Sequence, residues 1–167
     1  YNIYLEGRIY VQKGSERFFV NPDMPSGFIE KFVASTVQCD DLLDSIKGKG
    51  AELIDVFAAD PQVKNSVLDN FRSKGYEIAS AAPGVNSATA GGVNKGAALL
   101  GMCERLGITP DEAMAFGDAE NDAPMLRIAG LSFAMANGTE PCKLAAKAIA
   151  PSNADDGVAQ MINKYAF

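Results

Sequence analysis

The chain has 167 residues, 47% of them hydrophobic, and a formal net charge of -6. That length suits one domain or two small ones, with enough apolar content for a core. No apolar run is long enough to span a bilayer, no secretory signal opens the chain, and no basic run invites nucleic acid, so a cytoplasmic protein with neither membrane nor nucleic acid as partner is expected.

Histidine is absent, so the chain supplies no Ser-His or Cys-His nucleophile pair and no imidazole metal ligand. Its chemistry must come from carboxylates, lysine, hydroxyls and a metal. Cys39, Cys103 and Cys142 are odd in number and far apart, with no zinc-like spacing. Cys103 falls in a helical apolar pattern and is assigned to the core.

Tyr1-Asn2-Ile3-Tyr4-Leu5 and Arg8-Ile9-Tyr10-Val11 flank Glu6-Gly7 and predict a hairpin. The spacing of Phe28, Ile29, Phe32 and Val33 predicts a helix from about Pro25 to Val37. Leu42, Leu43 and Ile46 predict a short helix, broken by Gly48-Lys49-Gly50. Leu53 to Ala58 reads as a strand. A helix capped by Asp60 follows, with Val63, Val67, Leu68 and Phe71 on its buried face and Gly75 as its stop. Tyr76 to Ser80 reads as another strand, and the aromatics Phe18, Phe19, Phe28 and Phe32 as core. Pro83 to Gly92, rich in Ala, Gly, Ser and Asn, reads as a loop-rich connection and a domain boundary.

Beyond it, strands and helices alternate. A helix from about Asn94 to Leu106 stops at Gly107, and Thr109-Pro110-Asp111-Glu112 has capping-box spacing. Strands are expected at Ala113 to Phe116, Leu131 to Met135 and Ala148 to Ala150. Helices are expected before Gly130, near Pro141 to Lys147, and from Val158 to Tyr165. Such alternation implies a parallel sheet with helices on its faces.

Gly117-Asp118-Ala119-Glu120-Asn121-Asp122-Ala123-Pro124 follows the strand ending at Phe116 and leads into a helix. In an open α/β sheet, ligands bind at such a turn. A hard cation is commonly held there by one or two carboxylates with phosphate and water. Helix capping explains one such side chain, but the turn has Asp118, Glu120, Asn121 and Asp122.

Gly-Asp-x-x-Asn-Asp after a strand resembles the fourth motif of the haloacid dehalogenase (HAD) superfamily. Gly92-Val93-Asn94-Lys95-Gly96 resembles the third, lysine-bearing motif. Phe133-Ala134-Met135-Ala136-Asn137-Gly138 and Pro151-Ser152-Asn153-Ala154-Asp155-Asp156-Gly157-Val158 are similar to the Cof-type sugar-phosphatase branch. The match runs in order from about Gly91 to Ile162. It implies an α/β fold: an α+β cap domain over residues 1–88, then the C-terminal half of a Rossmann-like core over residues 89–167, its parallel sheet covered by helices on both faces.

The resemblance also implies roles. Lys95 would steady the phosphoryl group and the nucleophile. Asp118 would bind Mg²⁺, and Asp122 would hold the metal, through its water, or the lysine. Asn121 would orient the site by hydrogen bonding, and serves equally well as a helix cap. Asn137 and Asn153 are expected to cap helices, and Asp155 and Asp156 to mark a helix start. The family's cap often recognises substrate through an acidic residue shortly before the lysine motif, but Asn86-Ser87-Ala88-Thr89-Ala90 contains none.

The family's first motif, Asp-x-Asp, carries the nucleophile and the general acid, and this sequence holds no Asp-x-Asp. The second motif, a Ser or Thr after a core strand, has no match either. The resemblance places both before Tyr1. The chain therefore reads as a fragment of a Mg²⁺-dependent phosphatase acting on a small phosphorylated metabolite, inactive alone and suited to pair with the missing N-terminal core segment. Two alternatives remain: a non-catalytic remnant that binds phosphate or a partner, and the phosphorylation domain of a P-type ion pump, which Asn121-Asp122-Ala123-Pro124 also resembles. The lack of membrane spans and the Cof-like tail count against the pump.

Overall fold

Glu6 and Gly7 take φ angles of 52° and 71°. A two-residue hairpin turn requires this left-handed conformation. In the computed structural model, which describes residues 1–15, 27–58, 60–82 and 85–166, strands β1 (Asn2–Leu5) and β2 (Arg8–Gln12) accordingly pair antiparallel, with Asn2 opposite Val11. Helix α1 (Phe28–Ser35) leads into β3 (Thr36–Cys39), which lies parallel to β2. Asp41 caps α2 (Leu42–Ile46) by accepting the Asp44 N–H. Strand β4 (Leu53–Val56) pairs antiparallel with β1. Asp60 caps α3 (Pro61–Ser73) by accepting the Gln62 N–H, with Pro61 in the first turn where its missing donor costs nothing. Strands β5 (Glu77–Ala82) and β6 (Val85–Thr89) complete a six-stranded sheet of order β3-β2-β1-β4-β6-β5.

Several expectations are corrected here. The helix predicted to Val37 ends at Ser35, because the β-branched pair Thr36-Val37 joins the sheet beside Ile9 and Tyr10. The connection predicted over Pro83 to Gly92 contains β6. Its small side chains hide a real alternation, in which Ala88 is buried opposite Ile54 while Ser87 faces Asp55. Val63, assigned to a buried face, is 54% exposed, and Phe28, assigned to the core, is 47% exposed and stacks on Phe32. Phe18, Phe19, Pro25 and the Pro83-Gly84 pair lie outside the described residues.

The two faces of this sheet differ. Ile3, Cys39 and Leu42 form a buried cluster with Tyr10, Val37, Ile46 and Ile54 against it. On the other face the buried Asp55 carboxylate accepts hydrogen bonds from the Tyr4 hydroxyl at 2.9 Å and the Ser87 hydroxyl at 2.6 Å. Burial, then the Asp55 charge and hydrogen bond, push the Tyr4 phenol well above its ordinary value.

The chain divides into two compact units, one of Tyr1–Ile78 with Gly84–Gly91 and the other of Ala79–Pro83 with Gly92–Phe167. In the second, Asn94 caps α4 (Lys95–Leu106) by accepting the Ala97 N–H, and Gly107 ends it at φ 68°. The Glu112 carboxylate reaches back to the Thr109 N–H at 2.8 Å and closes a single 3-10 turn over Pro110–Glu112. Then come β7 (Met114–Gly117), a 3-10 turn at Glu120–Asp122, α5 (Ala123–Ile128), β8 (Leu131–Met135), α6 (Glu140–Ala145), β9 (Ala148–Ala150) and α7 (Gly157–Tyr165). The three strands are parallel in the order β7-β8-β9, with Gly117 opposite Ala134 and Met135 opposite Ala150.

Period-two alternation sorts these strands onto two packed faces. Ala115 and Ala134 pack with Leu126, Ala129 and Cys142 and with Leu99, so α4, α5 and α6 cover one face. Phe133, Met135 and Ala150 pack with Met161, so α7 covers the other. On that side Phe133 stacks on Phe116 and meets Tyr165, with ring centroids 5.3 and 5.4 Å away. The sheet is therefore a doubly covered α/β layer, as the alternation of elements predicts. Cys103 is buried, and all three cysteines are free thiols. Among the described residues no helix is long and apolar enough to cross a membrane.

Candidate active site

All three parallel strands end on one edge, and the chain leaves β7 there at Gly117. A Cβ on Gly117 would lie 2.4 Å from Asp122 Cβ and 2.9 Å from Asp122 Oδ2. Only the missing side chain lets the turn fold back so tightly. The fold-back brings the Asp122 carboxylate onto the backbone it has just left. Its Oδ2 accepts the Asp118 N–H at 2.9 Å and the Ala119 N–H at 3.0 Å.

The start of α4 supplies the lysine. A Cβ on Gly96 would stand 3.0 Å from the carbonyl carbon, Cβ and oxygen of Pro124, so the start of α4 lies hard against the start of α5. This contact delivers the Lys95 ammonium to Asp122 Oδ1, which accepts its hydrogen bond. Burial alone would push the Asp122 carboxyl up. The Lys95 hydrogen bond, the Ala119 and Asp118 N–H groups and the lysine's charge outweigh it and hold the group below the usual carboxylate range.

The structure thus brings Lys95, Asp118 and Asp122 together at the sheet edge and gives the two aspartates different situations. Both Asp122 oxygens are engaged by donors of the chain itself. Asp118 is exposed, and its carboxylate accepts no hydrogen bond among the described residues. Three residues on, Asn121 Oδ1 is buried and has no hydrogen-bond partner among the described residues. A buried carbonyl oxygen left unpaired costs about 1–3 kcal/mol, so this atom is open to a donor or a cation. Among the described residues no group of three or more Cys, Asp or Glu side chains forms a ready-made metal cage. Asp118 and Asn121 do offer hard oxygen donors of the kind Mg²⁺ takes with one or two carboxylates, phosphate and water. The residues present therefore fit that ion.

Other sequence candidates serve as braces. Asn137 Oδ1 accepts the Asn153 N–H at 3.0 Å and caps the 3-10 turn Asn153–Asp155 from a neighbouring loop. Asp155 accepts the Ser152 hydroxyl at 2.6 Å, while Asp156 takes φ 52° at the start of α7. Thr139, not singled out in the sequence, donates its N–H to the Asp118 carbonyl at 2.9 Å. Asn137 and Gly138, which follow the end of β8 after one intervening residue, were the available signal for that contact.

The family model described as haloacid dehalogenase-like hydrolase matches residues 1–162. The chain is 39% identical over 107 residues to the 5-amino-6-(5-phospho-D-ribitylamino)uracil phosphatase YcsE of Bacillus subtilis, covering 64% of this chain and 43% of that protein. It is 49% identical over 72 residues to a phosphoglycolate phosphatase of Methanopyrus kandleri, covering 43% of this chain and 31% of that protein. In fold it is similar to the HAD subclass IIB sugar phosphatase BT4131, with a TM-score of 0.77 and 24% identity over 99% of this chain and 60% of that one. The alignments span less than half of these two curated relatives.

Proposed function

The chain belongs to the haloacid dehalogenase-like hydrolases, and on that footing we propose that it is part of a Mg²⁺-dependent, Cof-type phosphatase of small phosphate monoesters. One observation carries the reading: the Lys95 ammonium, held by a buried Asp122, stands at the same sheet edge as the exposed Asp118 carboxylate. That edge presents a cation for a phosphoryl oxygen and an anion for a metal. Two curated relatives, named phosphatases of a ribityl phosphate and of phosphoglycolate, support a small phosphorylated metabolite as substrate.

In this reading Asp118, with Asn121 in the same turn, would hold Mg²⁺, and the ion would supply charge to offset that on the phosphoryl oxygens. Lys95 donates to a phosphoryl oxygen that becomes more negative as the ester bond breaks. Asp122 acts through Lys95, fixing the position of its ammonium. The attacking group is a carboxylate outside this chain, since the sequence has no Asp-x-Asp. It would form an aspartyl-phosphate as the P–O ester bond breaks and the ester oxygen takes a proton from that motif's second carboxyl, the general acid; water, giving its proton back to that group, would then attack the aspartyl-phosphate and release inorganic phosphate. We place that carboxylate on a strand pairing with the outer edge of β7, which has no neighbour among the described residues. Such an edge invites pairing.

The test is a phosphate-release assay with Mg²⁺ over a panel of monoesters, run on this chain and on a longer chain carrying the upstream segment. We expect turnover only in the longer chain, abolished by Asp118→Asn. Turnover by the 167-residue chain, or a longer chain indifferent to Asp118→Asn, would overturn the assignment.

A further inference from the structure

Asp118 is an exposed side chain on a backbone gripped from both sides. Its N–H is taken by Asp122 Oδ2 at 2.9 Å. Its carbonyl is taken by the Thr139 N–H, also at 2.9 Å. The first clamp lies within the motif. The second comes from a loop that follows a different strand, and neither the motif nor the proposed chemistry accounts for it.

That loop, residues 136–139, is tied down at every step. The Ala136 N–H donates to the Ala150 carbonyl at 2.9 Å, joining it to β9. The Gly138 N–H turns back to the Met135 carbonyl at 2.8 Å. The Asn137 side chain is the one side-chain tie among the described residues, accepting the Asn153 N–H at 3.0 Å from the loop after β9. Gly138 passes so close that a Cβ there would stand 3.0 Å from both Asp118 Cα and its carbonyl oxygen, and 2.9 Å from the Met135 oxygen. A wedge of this kind sets where the Asp118 backbone can be, and hence where its carboxylate points.

We propose that Asn137 is a positioning residue for Asp118: by tying the loop to Asn153 it holds Gly138 and Thr139 against the Asp118 backbone and fixes the carboxylate for the cation. The proposal rests on the reading of Asp118 as the metal-holding residue. The loop touches no metal and no substrate. Its effect belongs to the class in which partners behind a ligand cost 10–100-fold in metal affinity when removed.

The experiment is a Mg²⁺ titration of this chain followed by the amide resonances of Asp118 and Thr139, with amide exchange measured in parallel. In the unaltered chain both resonances should move with one midpoint. Asn137→Ala should weaken that midpoint about tenfold and deprotect the Asn153 and Thr139 amides. Asn137→Asp, which keeps the acceptor oxygen, should restore their protection. Gly138→Ala leaves the Asn137 tie intact but crowds Asp118, and should weaken the midpoint as well. A Thr139 amide indifferent to Mg²⁺ in the unaltered chain overturns the positioning role even if both variants fail to fold. So do wild-type midpoints in Asn137→Ala and Gly138→Ala when Asp118→Asn abolishes the titration. A titration unaffected by Asp118→Asn overturns the metal reading itself, and the positioning role with it.

Discussion

Lys95 and Asp122, 27 positions apart in sequence, form an ion pair of unequal burial: the carboxylate side chain is 5% exposed and the lysine 49%. The aspartate faces only the chain, whereas the lysine keeps an open side toward solvent. A pair built this way orients a cation for a second, external anion. A surface pair with both ends in water would contribute little to stability.

Removing that cation tests its role. In the longer chain, Lys95→Met should lower kcat by about 10²–10³, the range found when one preorganised transition-state donor is lost. Lys95→Met leaves the buried Asp122 carboxylate with only its two backbone donors, so circular dichroism run alongside separates lost chemistry from lost fold. Phosphate release under saturating substrate is the measurement, and kcat unchanged within error would remove Lys95 from the chemistry.

Asp122 should make the second unit acid-sensitive. Its carboxyl is held below the usual range in the folded state. An unfolded aspartate titrates near about 3.9. The stabilisation is therefore complete above that value and is lost as pH falls from there through the lower folded value. Urea melts at stepped pH should show this loss in the wild type, while Asp122→Asn should be less stable at neutral pH and flatter in acid. Parallel curves for the two proteins would contradict the assignment.

Tyr4 should act in the opposite direction. Its phenol is pushed up by burial and by Asp55, so the neutral form is favoured on folding. That contribution is intact below the unfolded value of about 10 and fades as pH rises through the higher folded one. Tyr4→Phe should cost about 1.5–3 kcal/mol at neutral pH, the worth of a hydrogen bond to a charged acceptor, and should remove this part of the alkaline destabilisation. Denaturant melts between neutral and alkaline pH decide it.

Leu126 is fully buried among Ala115, Ala129, Ala134 and Cys142. Leu126→Ala should cost about 2–5 kcal/mol, as buried Leu truncations do when the site cannot collapse. Its neighbours are already small, so little can move in to fill the space. A loss well under that range in a urea melt would mean that the helices close up.

The second half of the chain was legible because each element carried its own local signal. Asn94 and Gly107 bracket α4, and the periods of Leu131–Met135 and Ala148–Ala150 mark β8 and β9 at their observed bounds. The first half was less so. Val85–Thr89 is a strand made of small and polar residues, whose burial depends on partners far away in sequence. Thr36 and Val37 continued a helical apolar period, yet pairing with β2 decided their conformation. At the site, two motifs named Lys95 and Asp118, Asn121 and Asp122, but a linear pattern cannot say which carboxylate is consumed internally. That division appears only once Asp122 folds back over Gly117. The backing of Asp118 by Thr139 was hidden for the same reason, since it joins the ends of two different strands.

The close approach at Gly117 also separates two kinds of acidic turn that look alike on paper. A cluster of Asp and Asn at a helix start places no demand on the residue before it, so an ordinary capping turn accepts any side chain there. Here the glycine is the imprint left by the aspartate five places on, because the two cannot both carry a Cβ without displacing the strand end or the carboxylate. Gly117→Ala is therefore a diagnostic of turn type, harmless in a cap and disruptive in a turn whose last carboxylate must reach back over its first residue.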